Sequence, residues 1–125
     1  MKQWLLLSFI LLATACSKSS GGDDDTQSPV ITISSPANNS SVTGGQAVNI
    51  TGTITDSNRI AELHVHISNN NTGTLLIDIH RTPAGNSYSL NENFTTQAGI
   101  TYKIQVIAKD AAANETISSV LVTAN

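Results

Sequence analysis

From residue 29 onward the chain predicts an all-β fold, two sheets of short strands packed face to face. Runs rich in Val, Ile and Thr recur roughly every 10–15 residues, separated by Asn, Gly, Ser, Pro and Asp. Within several of these runs apolar and polar residues alternate with the period of a half-buried strand. No window of comparable length shows the period of a helix.

The first strand is expected over Val30–Ser34. The second, Ala47–Thr55, places Val48, Ile50 and Ile54 on one face, and the third, Ala61–Ser68, does the same with Leu63, Val65 and Ile67. Thr74–His80 offers Leu75, Ile77 and Ile79 to the core, and Ser87–Asn93 follows as a fifth strand. Thr101–Lys109 aligns Tyr102, Ile104, Val106 and Ala108, and Ile117–Thr123 completes the set. The stretches "ANNSSVTGG" and "SNNNTG" read as loops. Seven short alternating strands in roughly 95 residues form the pattern of an immunoglobulin-like sandwich.

Two local features agree with that pattern. "AGITY" sets Gly99 in a turn and Tyr102 at the start of the sixth strand, where a tyrosine can hydrogen-bond backbone a few residues upstream. "AKDAAANE" places Asp110 and Asn114 in the next loop, where their side chains can close turns on nearby amides. The one cysteine lies outside this region, so no Cys…Trp…Cys framework exists and stability must rest on burial.

Ahead of the sandwich the chain changes character. Residues 1–15 carry Lys2, an apolar run from Trp4 to Ala13 interrupted by Ser8, and the small residues Ala13, Thr14 and Ala15. That layout is a secretory signal, and its apolar run is about half of the roughly 20 residues a spanning helix needs. Residues 16–28 hold Cys16 and then Ser, Gly and Asp, with no aliphatic side chain. Such a segment cannot bury apolar surface and reads as a flexible acidic tether.

Small residues before Cys16, directly after an apolar run, resemble the lipobox of bacterial lipoproteins. The resemblance implies cleavage before Cys16 and attachment of diacylglycerol and acyl (palmitate-type) chains. Each buried methylene then contributes about 0.8 kcal/mol of membrane affinity. The usual leucine three residues before the cysteine is replaced by Ala13, with Leu12 one place further back. A serine-rich stretch followed by Asp23, Asp24 and Asp25 resembles the surface-export signal of Bacteroidota lipoproteins, and a solvated spacer is the alternative. "SPVITISSPANNSSVTGGQAVNITGTITDSNRIAELHVHIS" with "GITYKIQVIAKDAAANE" resembles the bacterial Ig-like modules of such proteins, a family of unassigned function. Ala113 stands where these modules usually carry glycine, so the loop around it is expected to differ from theirs.

Charge narrows the partners. After the tether come Arg59, Arg81, Lys103 and Lys109 against Asp56, Glu62, Asp78, Glu92, Asp110 and Glu115, evenly spread. Without a basic patch, nucleic acid is not an expected partner. The few aromatics, Tyr88, Phe94 and Tyr102, favour a protein over a glycan as ligand.

Chemistry has two candidate locations. On the third and fourth strands Glu62, His64, His66, Asp78 and His80 all point outward. A five-residue loop, Asn69 to Gly73, would set His64 opposite Asp78, His66 opposite Leu76 and Glu62 opposite His80. Imidazoles with carboxylates suit zinc or copper, and an ordinary solvated face explains the same residues without a metal. At one end of the sandwich Asp56 and Asn58 follow the second strand, and Asp110 and Asn114 follow the sixth. These oxygens suit either turn capping or calcium. Nucleophile elbows and glycine-rich phosphate loops are absent, so no enzyme is expected.

The chain therefore reads as a non-catalytic lipoprotein of the bacterial outer membrane, exposed at the cell surface. It would act as a binding, adhesion or scaffolding module for a protein or glycan partner, with no cofactor beyond the lipid on Cys16. A tether of this length, at about 3.4 Å per residue, reaches up to roughly 40 Å. The alternatives are a zinc- or copper-handling lipoprotein and a structural subunit of a surface complex. Oligomeric state is not encoded in any motif.

Overall fold

A computed structural model describes residues 24–125. Residues 1–15, Cys16 and Asp23 lie outside the described part, and Asp24 is exposed at its start. Eight strands follow in order: β1 Val30–Ser35, β2 Ser40–Val42, β3 Ala47–Thr55, β4 Ile60–Asn69, β5 Leu75–Arg81, β6 Ser87–Thr95, β7 Thr101–Asp110 and β8 Glu115–Ala124. They form a three-stranded sheet, β1-β3-β6, and a five-stranded sheet, β2-β8-β7-β4-β5. The fold is an all-β, immunoglobulin-like sandwich.

The additional strand is β2, inside the stretch read as a loop. It runs parallel to β8, pairing Ser40 with Val122 and Val42 with Ala124. Three residues with one aliphatic side chain show no period, so this strand exists only because β8 offers it an unpaired edge. The amide of Asn39 donates to the Leu121 carbonyl, and the Leu121 amide donates to Asn38 Oδ1, both at 2.9 Å.

The core lies between the sheets. β3 and β6 supply Val48, Ile50, Ile54, Leu90 and Phe94, and the larger sheet supplies Leu63, Val65, Ile67, Tyr102, Ile104, Val106, Ala108 and Val122, all buried. At about 1.5–3 kcal/mol for each large aliphatic side chain, these alternating positions are the main favourable term in a domain with no disulfide among them. Tyr102 packs edge-to-face on Phe94 with ring centroids 5.0 Å apart, and its hydroxyl accepts from the Gln97 amide at 2.8 Å. Gly99, at φ +86°, makes the turn that brings Gln97 back over the ring.

β5 departs from the sequence reading. Leu75, Ile77 and Ile79 alternate as core residues do, yet Leu75 is 49% and Ile77 37% exposed. β5 is the edge strand of the five-stranded sheet, and of its three alternating apolar residues only Ile79 packs against the core. A bulge also interrupts its register. Ile67 pairs with Ile77 but Ser68 with Leu75, which leaves Leu76 as the extra residue and puts Leu75 on the outer face with Ser68. A bidentate Arg81–Glu92 pair (2.9 and 3.1 Å) ties β5 to β6 across the opening.

Candidate functional site

Glu62, His64 and His66 project from β4 and Asp78 and His80 from β5, all on the outer face of the five-stranded sheet. The pairing is displaced by two residues from that expected. His64 faces His80, and His66 faces Asp78. The loop and the bulge at Leu76 each move the pairing by one: the loop takes in Thr74, with Asn69 accepting from the Asn71 amide through Oδ1 and from the Gly73 amide through its carbonyl. A displacement of two preserves the face, so the five side chains still meet, with different partners.

His64 is the centre of the cluster. Its Nδ1 lies 2.9 Å from Asp78 Oδ1 and its Nε2 2.9 Å from Glu62 Oε1. Both ring nitrogens face carboxylate oxygens, an arrangement that favours the doubly protonated ring, which can donate to both. Its hydrogen bonds to Asp78 first and Glu62 second raise its pKa above the ordinary histidine value. The same bonds hold the Glu62 and Asp78 carboxyls below theirs. His80 stacks on His64 at 4.5 Å, and His66 Nε2 lies 3.4 Å from Asp78 Oδ1. Glu62, His64, His66, Ile107, Lys109 and Glu115 line a shallow hollow of about 230 Å³.

Two sets here have the spacing of metal ligands, Glu62–His64–His80 and His64–His66–Asp78. Both use His64, so they exclude one another. A metal would also have to displace the His64 proton and break one of its two carboxylate bonds. The cluster satisfies itself as an ion network.

The end of the sandwich is arranged differently. Asp110, at the end of β7, is 2% exposed. Its Oδ1 accepts from the amides of Ala112 and Asn114, and its Oδ2 accepts from Asn114 Nδ2, all at 2.8 Å. Burial pushes the Asp110 carboxyl up, but the bonds from the Asn114 side chain and the Asn114 and Ala112 amides outweigh it, and the net direction is down. Asp56 Oδ1 accepts from the Asn58 amide at 2.9 Å, so Asn58 contributes backbone to this loop. Asp25, which the sequence places in the tether, lies against the same end: Asn114 Nδ2 donates to its carbonyl at 2.8 Å. Carboxylate oxygens of Asp25, Asp56 and Asp110 all lie within 4.8 Å of one another. Ala113 takes the left-handed conformation at φ 67° despite its Cβ.

Residues 29–106 match the family described as bacterial Ig domains. The chain belongs to that family. Among solved structures, this bacterial Ig domain is similar to a superoxide reductase (neelaredoxin) from Ignicoccus hospitalis. Identity is 9% over 78% of this chain and 80% of that one, with a TM-score of 0.55. It is also similar to the fibronectin(III)-like modules of Clostridium thermocellum CbhA. There identity is 22% over 78% of this chain and 47% of that one, with a TM-score of 0.51. At these identities the likenesses establish the fold alone. No curated protein matches the chain. Ig-like domains are typically non-catalytic, and membership of the bacterial Ig family fits a binding or scaffolding module.

Sequence reasoning missed Asp25 as a neighbour of Asp56 and Asp110, because a stretch without aliphatic residues gives no sign of docking. It also missed the Arg81–Glu92 pair, for which no local pattern exists.

Proposed function

We propose that the chain is a non-catalytic binding or scaffolding module of the bacterial cell envelope, carried on an acylated Cys16 and displayed at the surface of the outer membrane. The observation that carries the binding part is β5. Its free edge is unpaired, Leu75, Leu76 and Ile77 are exposed, and a cleft of about 210 Å³ lined by Leu76, Ile77, Phe94, Ile100 and Tyr102 opens beside it. Natural sandwiches protect such edges with charge or proline; β5 carries its charge in its second half, Asp78 to Arg81, and the apolar first half, Leu75 to Ile77, is a template for an added strand. The partner is accordingly a protein segment in extended conformation.

A photo-crosslinking side chain at Leu76, with one at exposed Val30 as control, tests this on intact cells. A discrete adduct at Leu76 alone is expected, and equal or no labelling at both positions would sink the β5 reading. An adduct of fixed composition recovered at both would favour a structural subunit of a larger complex. Labelling with an alkynyl fatty acid should mark the wild type and not Cys16→Ser. Protease should reach the domain on intact cells, less so when Asp23 and Asp24 are alanine.

The three imidazoles and two carboxylates on β4 and β5 favour zinc or copper handling as a second reading. Stoichiometric zinc binding that disappears in His64→Ala would support it, and binding unchanged by that substitution would remove it.

A further inference from the structure

We infer that Asp25, Asp56 and Asp110 form a calcium site that fastens the arm preceding β1 to the end of the sandwich. The three residues come from separate segments: the arm, the β3–β4 loop and the end of β7. Converging carboxylates repel, and the ion pairs of the described residues all lie elsewhere. No described Lys, Arg or His side chain lies within 4.0 Å of these carboxylates.

The observation that points to a ligand is separate from the clustering. Asp25 Oδ2 and Asp56 Oδ2 each expose less than 1 Å² and have no hydrogen-bond partner. Buried polar atoms are almost always satisfied, and an ionised oxygen is the most costly to leave alone. In both residues Oδ1 is held by a local amide, Gln27 for Asp25 and Asn58 for Asp56. The loops thus set these carboxylates in place and leave Oδ2 of each free for something that is not protein.

A cation fits, and the donor set selects it. All-oxygen donors suit a hard ion rather than zinc or copper. Calcium–oxygen bonds are about 2.4 Å, so ligands on opposite sides of one ion lie about 4.8 Å apart. One carboxylate oxygen from each of Asp25, Asp56 and Asp110 lies within that reach of the other two, close enough for the three to share one ion. Magnesium is usually held by one or two carboxylates and keeps its waters, whereas calcium accepts several carboxylates in looser geometry. Calcium bound here would make Asp25 part of the domain and shorten the free tether by the residues between it and β1. The rival is a proton shared among the carboxylates, which predicts a different response to pH.

The test is thermal unfolding of the full chain in detergent near neutral pH and constant ionic strength, with EDTA, millimolar CaCl2 or millimolar MgCl2, alongside calorimetric titration with CaCl2. Calcium should raise Tm by several degrees with one ion per chain, and magnesium by less. Asp25→Asn and Asp56→Asn should each abolish the calcium increment. Asp25→Asn should also melt higher than wild type in EDTA, because it removes one of three converging charges, which shows that the variant folds. His64→Ala should keep the increment. Equal melting in calcium and EDTA would overturn the site, as would an increment that survives both Asn substitutions. A calcium-independent rise in Tm on acidification from about pH 7 to about pH 5, measured in the His64→Ala background so that the face network does not contribute, and lost in Asp25→Asn, would assign the cluster to a shared proton instead.

Discussion

The outer face and the end of the sandwich each gather several titratable groups, and they solve the problem in opposite ways. On the face, the His64 ring lies between two carboxylates, Glu62 and Asp78, in partial contact with water. At the end, three carboxylates meet with no described cation among them, and two of their oxygens are sealed from solvent. Mixed charge neutralises itself and asks nothing of a ligand. Like charge, once buried, needs an outside partner. The cluster that looks more like a metal site by residue type is therefore the one that needs a metal less.

The sharpest way to break that contrast is Asp110→Ala, melted in EDTA so that any ion is out of account. Two amides and the Asn114 side chain lose their acceptor in a buried loop, and Tm should fall by roughly 5–10 °C. An unchanged melt would show that the β7–β8 loop closes without the carboxylate. Next in size is Ala113→Gly in the same loop. It removes the crowding of a Cβ at φ 67° and should raise stability by about 1 kcal/mol in a urea titration. A loss instead would mean that the added freedom of the unfolded chain dominates. On the face, His64→Ala should cost less than about 1 kcal/mol, because the pairs are partly solvated, and the cost should shrink as salt is raised. A larger, salt-insensitive loss would contradict the picture of a screened surface network.

The smallest effect is the pH dependence of the face, and its sign follows from the directions of the shifts. A raised folded-state pKa for His64 contributes stability that is fully present below its ordinary 6.5 and is lost as pH rises through the folded value. The lowered Glu62 and Asp78 values contribute stability that is present above 4.5 and 3.8 and is lost as pH falls through their folded values. The network is then strongest between about pH 4.5 and 6.5. Proton NMR titration of His64 should show a pKa above that of an unfolded histidine, and an ordinary midpoint would remove the imidazolium bridge.

Much of the fold is legible in residue order, because a strand with one buried face writes its environment as alternation. Val48, Ile50 and Ile54, or Ile104, Val106 and Ala108, can hardly be placed otherwise. β2 is too short to carry a period, and β5 carries one that its surroundings do not honour. Leu75 and Ile77 look like core, but whether an opposing strand covers them depends on how far the other sheet extends. The five residues of the histidine face share a side for a local reason, the period of two. Their partners were not legible, since a loop longer by one residue and a bulge at Leu76 move the pairing by two.

The sequence by itself determined the class of fold, the content of its core and the face on which the histidines lie, because each of these follows from spacing along one strand. Only the tertiary structure decided the register between strands, the uncovered edge at β5 and the meeting of Asp25 with Asp56 and Asp110. Those depend on contacts between residues far apart in the chain. Asp25 and Asp110 are brought together by the whole sandwich, and no local pattern records that distance.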